Sequence, residues 1–153
     1  MFWTRYTADG SVNRAWMDGS NKSQIVRGLN RPSGITIDFQ YSRLYWVCTH
    51  ENKVQSSDMQ GQDFKTLVHL SVGMPRGIGV QGDRIYWATW GTGNLESSNK
   101  FGQDIQTVYD GQAELFQMTV APRPDLSTTR ENHCQNADCS KVCVLTPTAY
   151  TCL

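Results

Sequence analysis

Apolar and polar residues alternate over short stretches of this chain, as in Lys53-Val54-Gln55 and Arg84-Ile85-Tyr86-Trp87. An alternation with a period of two is typical of β-strands that bury one face. No segment sustains the apolar period of about 3.6 residues that marks an amphipathic helix. The pattern therefore predicts an all-β chain of short strands joined by tight turns.

Three markers recur in the same order along the first 122 residues, and they indicate an internal repeat. Aromatic-tryptophan pairs stand 43 and 41 residues apart, at Phe2-Trp3, Tyr45-Trp46 and Tyr86-Trp87. Because they recur at this period, we predict the three tryptophans to be core residues. A glycine turn follows each pair, at Asp18-Gly19, Gln60-Gly61 and Phe101-Gly102. The third marker precedes an apolar strand, at Pro32-Ser33-Gly34, Pro75-Arg76-Gly77 and, in decayed form, Leu115-Phe116-Gln117. A period near 42 with four strands is typical of a propeller blade. In the second copy we predict strands at Ile35–Asp38, Leu44–Val47, Lys53–Asp58 and Phe64–Val68.

This order of markers resembles the YWTD repeats of the low-density lipoprotein receptor family. The matching segments are Leu44-Tyr45-Trp46, Ile85-Tyr86-Trp87, Met17-Asp18-Gly19-Ser20-Asn21 and the stretch 31–38. The resemblance implies a six-bladed propeller, so that three repeats make a partial propeller. They supply strands 2–4 of one blade, two whole blades and one inner strand near Phe116–Val120. We therefore expect half a propeller, from an incomplete gene model, a splice form or a fragment, whose open edges favour self-association.

One departure from the family concerns the aspartate that ties neighbouring blades together. Arg5, Cys48 and Thr89 stand at its position here. We expect the hydrogen bonds between blades to be weakened, as in a divergent or less stable propeller. Cys48 itself lies in a strand pattern and is predicted to be a buried apolar residue rather than a reactive thiol.

Charge and composition exclude several classes of function. The 14 basic and 14 acidic residues balance, so no basic excess exists to neutralise nucleic-acid phosphates. No apolar run is long enough to insert into a membrane. The predicted inner strands are apolar, and Asp38 is interpreted as a turn residue at a strand end rather than a metal ligand. Without a nucleophile or phosphate-binding motif, we expect no catalytic residues, no metal, no cofactor and no enzymatic activity.

Four of the five cysteines fall in the last 20 residues, at Cys134, Cys139, Cys143 and Cys152. Because no C-x-x-C pair is present, zinc is disfavoured, and the density predicts disulfides in an oxidising compartment. The spacing alone allows three pairings. The segment is similar to the EGF-like module that follows the propeller in the same family, which implies the pairs Cys134–Cys143 and Cys139–Cys152. Its missing fifth and sixth cysteines and the absence of a calcium signature indicate a truncated module without calcium. We predict a propeller segment over 1–122, a linker over 123–131 and this module over 132–153.

The family resemblance also implies a binding face, built from the loops that enter the first strand and leave the second strand of each blade. The residues that match it are Tyr6, Arg31, His50, Glu51, Arg76 and Trp90. Trp90 is equally well explained by packing between blades, and His50 by a solvated loop rather than a pH sensor. Asn21 begins an Asn-Lys-Ser sequon on an exposed turn and is predicted to carry a glycan.

From these observations we predict an extracellular ligand-binding module of a receptor related to the low-density lipoprotein receptor, endocytic or signalling, that binds secreted proteins. The parent protein is expected to be a single-pass membrane receptor with this segment outside the cell. The alternatives are a nidogen-like matrix propeller, secreted to the extracellular matrix, and a non-functional receptor fragment.

Overall fold

Eleven strands between residues 2 and 109 form three antiparallel sheets. The computed structural model describes residues 1–111, 115 and 117–120, and the backbone of 143–145 and 150–152. The first sheet contains β1 (Phe2–Arg5), β2 (Gly10–Arg14) and β3 (Ser23–Leu29). The second contains β4 (Pro32–Asp38), β5 (Arg43–Cys48), β6 (Lys53–Asp58) and β7 (Lys65–His69). The third contains β8 (Met74–Gln81), β9 (Arg84–Trp90), β10 (Asn94–Asn99) and β11 (Gln106–Tyr109).

Within each sheet, every strand pairs with the next one along the chain, as in a propeller blade. The four strands predicted for the second copy all appear, displaced by no more than three residues at either end. The all-β prediction is confirmed, and the strands of the first sheet correspond to strands 2–4 of a blade. In the part of the chain that the structure describes, no helix is long and apolar enough to cross a bilayer.

The core lies between the sheets rather than within one sandwich. Val12, Val26 and Leu29 of the first sheet pack with Leu44 and Trp46 of the second. A second cluster joins the second and third sheets through buried side chains that include Tyr45, Val54, Ile78, Ile85 and Trp87. Complete burial of such side chains stabilises the fold by about 1.5–3 kcal/mol each. Trp46 and Trp87 therefore fill equivalent sites between neighbouring blades, as the repeat predicts.

Two glycines bring the inner strands into direct contact. A Cβ on Gly34 of β4 would overlap the carbonyl oxygen of Arg76 in β8. A Cβ on Gly77 of β8 would lie 2.6 Å from the backbone nitrogen of Met118. Residues 117–120 thus lie against β8 as β8 lies against β4, at the place predicted for a lone inner strand. They have no paired strand within the described residues.

Trp3 departs from the prediction that all three repeated tryptophans are core residues. Trp46 and Trp87 have an exposed fraction of 0%, whereas Trp3 is 37% exposed. The reason is that β1 lies at the free edge of its sheet, while β5 and β9 are each covered by an inner strand. The repeat predicts where Trp3 lies in its strand, but it does not contain the inner strand that would bury the side chain.

Threonine hydroxyls connect the blades where the family's aspartate is missing. The Thr4 hydroxyl donates to the carbonyl oxygen of Ser33 at 2.6 Å, from the first sheet to the second. The Thr49 hydroxyl donates to the carbonyl oxygen of Pro75 at 2.9 Å, from the second sheet to the third. The Thr89 hydroxyl bonds Glu96 within its own blade. At two of the three positions that lack the aspartate, a neighbouring threonine thus connects the blades.

The cysteine-rich tail is described only in part, as an antiparallel hairpin of β12 (Cys143–Leu145) and β13 (Tyr150–Cys152). Its register places Cys143 opposite Cys152. Cys134, Cys139 and the predicted boundaries at 122 and 131 lie outside the described residues. The EGF-like module and its disulfide pairs therefore stay predictions.

Candidate functional site

Loops at one end of the sheets form a surface that we call the loop face. It comprises residues 6–9, 30–31, 49–52, 70–73 and 91–93. Because strands alternate in direction, the loops that leave β1, β5 and β9 meet those that enter β4 and β8 at this end. Backbone hydrogen bonds join three of these loops, from Arg31 N to Thr7 O at 2.8 Å and from Thr49 N to Arg31 O at 3.0 Å. These backbone hydrogen bonds fix the loops of the loop face to one another.

Arg31 and His50, both predicted for the binding face, lie in contact there. Arg31 Nη1 is 3.3 Å from His50 Nδ1, across 19 residues of sequence. Arg31 also has a φ of 52°, in the left-handed region that a residue other than glycine rarely adopts. Such strain persists only where surrounding contacts impose it, and here the two backbone hydrogen bonds of Arg31 do so.

Arg76 and Trp90 form a second pair on the same face. The Arg76 guanidinium carbon lies 5.3 Å from the Trp90 ring centroid, within the range of a cation–π interaction. Arg76 occupies a β-bulge, where the register between β8 and β9 shifts between Pro75 and Gly77. A bulge redirects a side chain out of the strand's alternation, and here Arg76 meets the residue at the end of β9.

A groove of about 440 Å³ runs over the inner strands beside this pair. Residues 33–35 and 77–78 of the inner strands line it, together with Tyr6, Arg76 and Met118. A cation beside a partly exposed aromatic ring suits a peptide that offers carboxylate and apolar side chains.

The structure therefore brings together part of the predicted set. Tyr6 and Arg76 line one groove, Trp90 packs on Arg76, and Arg31 with His50 forms a separate pair. Glu51 has no place in the groove and pairs instead with Lys53 at 3.5 Å. None of these contacts tests ligand binding, so the assignment of the face stays a prediction.

The opposite end of the sheets, which we call the turn face, carries charged pairs that the sequence did not predict. It comprises residues 15–22, 39–42, 59–64, 82–83 and 100–105. Asp38 caps the turn after β4, accepting from the backbone nitrogens of Gln40 and Tyr41, as its interpretation as a turn residue predicts. Its other oxygen lies 2.5 Å from Lys100 Nζ in the next blade, where the Asp38 side chain is 5% exposed and the Lys100 side chain 11%. Lys100 also lies 4.1 Å from the Tyr41 ring centroid.

Arginine pairs on the turn face repeat from blade to blade. Arg43 bonds Asp63 and Arg84 bonds Asp104, at 2.6 and 2.7 Å. Each guanidinium holds the pKa of its aspartate below the usual range. Asp63 and Asp104 also share a positive φ, near 50°. A search for charged residues at the 41-residue period would have found both pairs.

Two further sequence features lie on exposed parts of the turn face. Asn21, the predicted glycan site, is exposed in the turn between β2 and β3. Trp16 is 52% exposed in the same turn. Occupancy by a glycan stays a prediction.

Cys48 is fully buried, and its thiol donates to Gln55 Oε1 at 3.2 Å. Burial, reinforced by the nearby Glu51 carboxylate, raises the pKa of the thiol from 9.0 to about 12. The folded state thus favours the protonated thiol, and the resulting stability is present below pH 9 and is lost as pH rises toward 12. A buried apolar role for Cys48, as predicted, follows from this environment.

We expect Cys48 in the folded chain to resist iodoacetamide at pH 8, because the thiolate is the reactive species. Mass spectrometry of the Cys48 peptide should show labelling at least about tenfold slower than in denaturant. The same chain labelled in denaturant is the control. Equal labelling in both states would contradict the burial of this thiol.

These strands, the repeat and the glycine-packed inner strands define a partial β-propeller of the YWTD type. The sequence is 28% identical over 146 residues to the vitellogenin receptor Yl of Drosophila melanogaster. It is also 28% identical over 143 residues to the low-density lipoprotein receptor-related protein 5 of Homo sapiens. The predicted relationship to the low-density lipoprotein receptor-related family is thereby confirmed. No family model matches the sequence.

The matches cover 95% and 92% of this chain but only 7% and 9% of the two relatives. Among solved structures, a nidogen/laminin complex resembles the chain with a TM-score of 0.68 and 24% identity, over 74% of this chain and 45% of that one. A luciferin-regenerating enzyme shares the fold with a TM-score of 0.60 at 12% identity, over 72% of this chain and 39% of that one. At these identities the likeness to solved structures shows the fold alone.

Proposed function

We propose that this chain is an extracellular ligand-binding module of a receptor related to the low-density lipoprotein receptor, and that it binds secreted proteins through the loop face without catalysis. The observation that carries the proposal is the groove flanked by Tyr6 and Arg76, with Trp90 packed on Arg76. The sequence relatives are receptors, which favours recognition over chemistry. Aromatic residues and arginine dominate the binding energy of many protein interfaces.

The groove favours a ligand segment with acidic and apolar side chains. Arg76 stands at its side, and Arg31 and His50 add positive or hydrogen-bonding groups on the same face. Glu51, the acidic residue predicted there, is paired with Lys53 and does not line the groove. An acidic segment would therefore meet Arg76 without a competing carboxylate from the described residues that line the groove.

A nidogen-like role in the extracellular matrix is the second candidate, and the likeness of the fold to the nidogen/laminin structure favours it. Both candidates place the chain outside the cell and use the same kind of face. They differ in the ligand, since a receptor takes up soluble proteins and a matrix propeller holds another matrix component.

Binding to immobilised vitellogenin and laminin, measured by surface plasmon resonance, tests the proposal. We expect the chain to bind at least one of them, and Arg76→Ala or Trp90→Ala to weaken that binding at least about tenfold. Lys65→Ala, an exposed cation on β7 next to the turn face, is the matched control and should leave it unchanged. Preference for vitellogenin supports the receptor role, and preference for laminin the matrix role.

Binding that Arg76→Ala and Lys65→Ala change equally would overturn the assignment of the loop face. Failure to bind either protein would favour the third possibility, a non-functional fragment.

A further inference from the structure

A pocket of about 300 Å³ opens on the turn face between the second and third sheets. β5, β6 and β7 line it through Tyr45, Ser56 and Leu67, and the turn after β10 lines it through Phe101. Both sheets contain all four strands of a blade. The volume lies at the lower end of the range for small-molecule sites in proteins.

The lining of this pocket is mainly apolar and aromatic. Tyr41 and Phe101 are its exposed rings, at 54% and 78%, whereas Tyr45 is 1% exposed. Leu67 is partly buried and adds an aliphatic surface. Aromatic side chains around such a space suit a flat apolar group, because rings pack favourably in offset or edge-to-face arrangements. The apolar part of a ligand for this pocket is therefore an aromatic ring.

The hydroxyl of Tyr45, which lines the pocket, is an unused hydrogen-bond donor. Within the part of the chain that the structure describes, it bonds no other group, although the side chain is almost fully buried. Burial, together with the nearby Asp38 carboxylate, raises the pKa of the Tyr45 phenol, so that the hydroxyl keeps its proton. A buried donor without an acceptor is costly. A ligand that offers an acceptor to Tyr45 removes this cost.

Three cations line the same pocket, against one carboxylate, that of the exposed Asp83. Arg43 and Lys65 share the carboxylate of Asp63, at 2.6 and 3.2 Å, so that these three side chains together keep one positive charge. The third cation, Lys100, has its own carboxylate partner. A carboxylate on the ligand would therefore gain charge-assisted hydrogen bonds beside Arg43 and Lys65.

The equivalent place between the first and second sheets has different side chains. Met59 and Gln60 stand where Lys100 and Phe101 stand in the next repeat. Phe101 is largely exposed, so its ring contributes little to the packing of the two blades. The aromatic ring at the opening of the pocket is thus a feature of this one boundary rather than of the repeat.

We propose that this pocket binds a small molecule that combines an aromatic ring with a carboxylate. The ring packs against Tyr41, Leu67 and Phe101. The carboxylate accepts a hydrogen bond from the Tyr45 hydroxyl and lies beside Arg43. Because the pocket is at the opposite end of the sheets from the loop face, the proposal is independent of the ligand-binding function proposed above.

Titration of the chain 1–153 with phenylacetate, followed by backbone-amide NMR, tests the proposal. We expect saturable binding with a dissociation constant in the millimolar range or below, as suits a ligand of this size. The uncharged phenylacetamide, which has the same shape, should bind at least about fivefold more weakly. Absence of saturable phenylacetate binding, or equal binding of the two compounds, would overturn the proposal.

A pair of phenylalanine variants tests where phenylacetate binds. Phe101→Gln introduces the residue found at the equivalent position 60, and we expect it to weaken binding about tenfold. Phe39→Gln is the matched control, because Phe39 is 77% exposed on the same face but does not line the pocket. It should leave binding unchanged. Equal losses for both variants would show non-specific contact with exposed rings and would contradict the assigned pocket.

A pair of tyrosine variants tests the hydrogen bond. Tyr45→Phe removes only the hydroxyl and should weaken phenylacetate binding about tenfold. Tyr86→Phe makes the same change at the equivalent position of the third sheet, outside the pocket lining, and should have no effect. If Tyr45→Phe binds phenylacetate as tightly as Tyr86→Phe does, the proposed role of the Tyr45 hydroxyl is wrong.

Discussion

Replacing Asp38 by Asn should lower the free energy of unfolding by about 3–5 kcal/mol. Asp38 is buried, the Lys100 side chain is only 11% exposed, and their charged atoms are 2.5 Å apart across the boundary between two blades. Asn can still accept the hydrogen bonds from Gln40 and Tyr41 that cap the turn, so the change removes the charge and keeps the cap. The lysine ammonium then loses its carboxylate partner and keeps the Tyr41 ring beside it, and an uncompensated charge that is largely buried is costly.

Urea unfolding at neutral pH, followed by far-ultraviolet circular dichroism, measures the loss. Asp104→Asn is the matched control, because Asp104 pairs with Arg84 at a similar distance but is exposed. Its transition midpoint should hardly move. Lys100→Met introduces the residue found at the equivalent positions 17 and 59. Combined with Asp38→Asn, it should recover part of the lost stability, and a double variant no more stable than Asp38→Asn would contradict the charge argument.

Replacing Gly102 by Ala should lower the free energy of unfolding by about 2–5 kcal/mol. Two effects add at this position. The φ of 80° is unfavourable for any residue with a Cβ, and that Cβ would overlap the carbonyl oxygen of Leu67 in the neighbouring blade. Gly61 meets Ile25 in the same way and should behave alike. The positive φ and the close contact with the neighbouring blade thus make glycine necessary for two independent reasons.

Gly82→Ala separates the two effects, since Gly82 has a φ of 55° but open space around it. Its loss should be only about 1–2 kcal/mol. All variants are compared at one protein concentration, because self-association would make the midpoint depend on concentration. Equal losses for Gly102→Ala and Gly82→Ala would show that the neighbouring blade adds nothing.

The sequence predicted the structural features that the three repeats have in common. Alternation located the strands of the second blade, and the aromatic-tryptophan pairs located Trp46 and Trp87 between blades. These features are set by contacts within one repeat or between equivalent positions, so that periodicity reveals them. The groove on the loop face was anticipated only through family resemblance, which supplied Tyr6 and Arg76 but also Glu51, a residue bound elsewhere.

Features that differ between the repeats were not predictable in this way. Lys100 stands where the other copies have methionine, and its partner Asp38 lies 62 residues earlier, so no local pattern connects them. Thr49 makes a blade-to-blade hydrogen bond from one residue beyond the four-residue motif, where a search for the missing aspartate does not look. Trp3 matches its equivalents in sequence, but its exposure depends on a strand that the repeat does not contain.

The threonine ties between the blades have a consequence for how the fold responds to pH. A hydroxyl group neither gains nor loses a proton over the range in which carboxylates and imidazoles titrate, so Thr4 and Thr49 hold the blades equally well throughout that range. Acidification thus leaves these two ties unchanged.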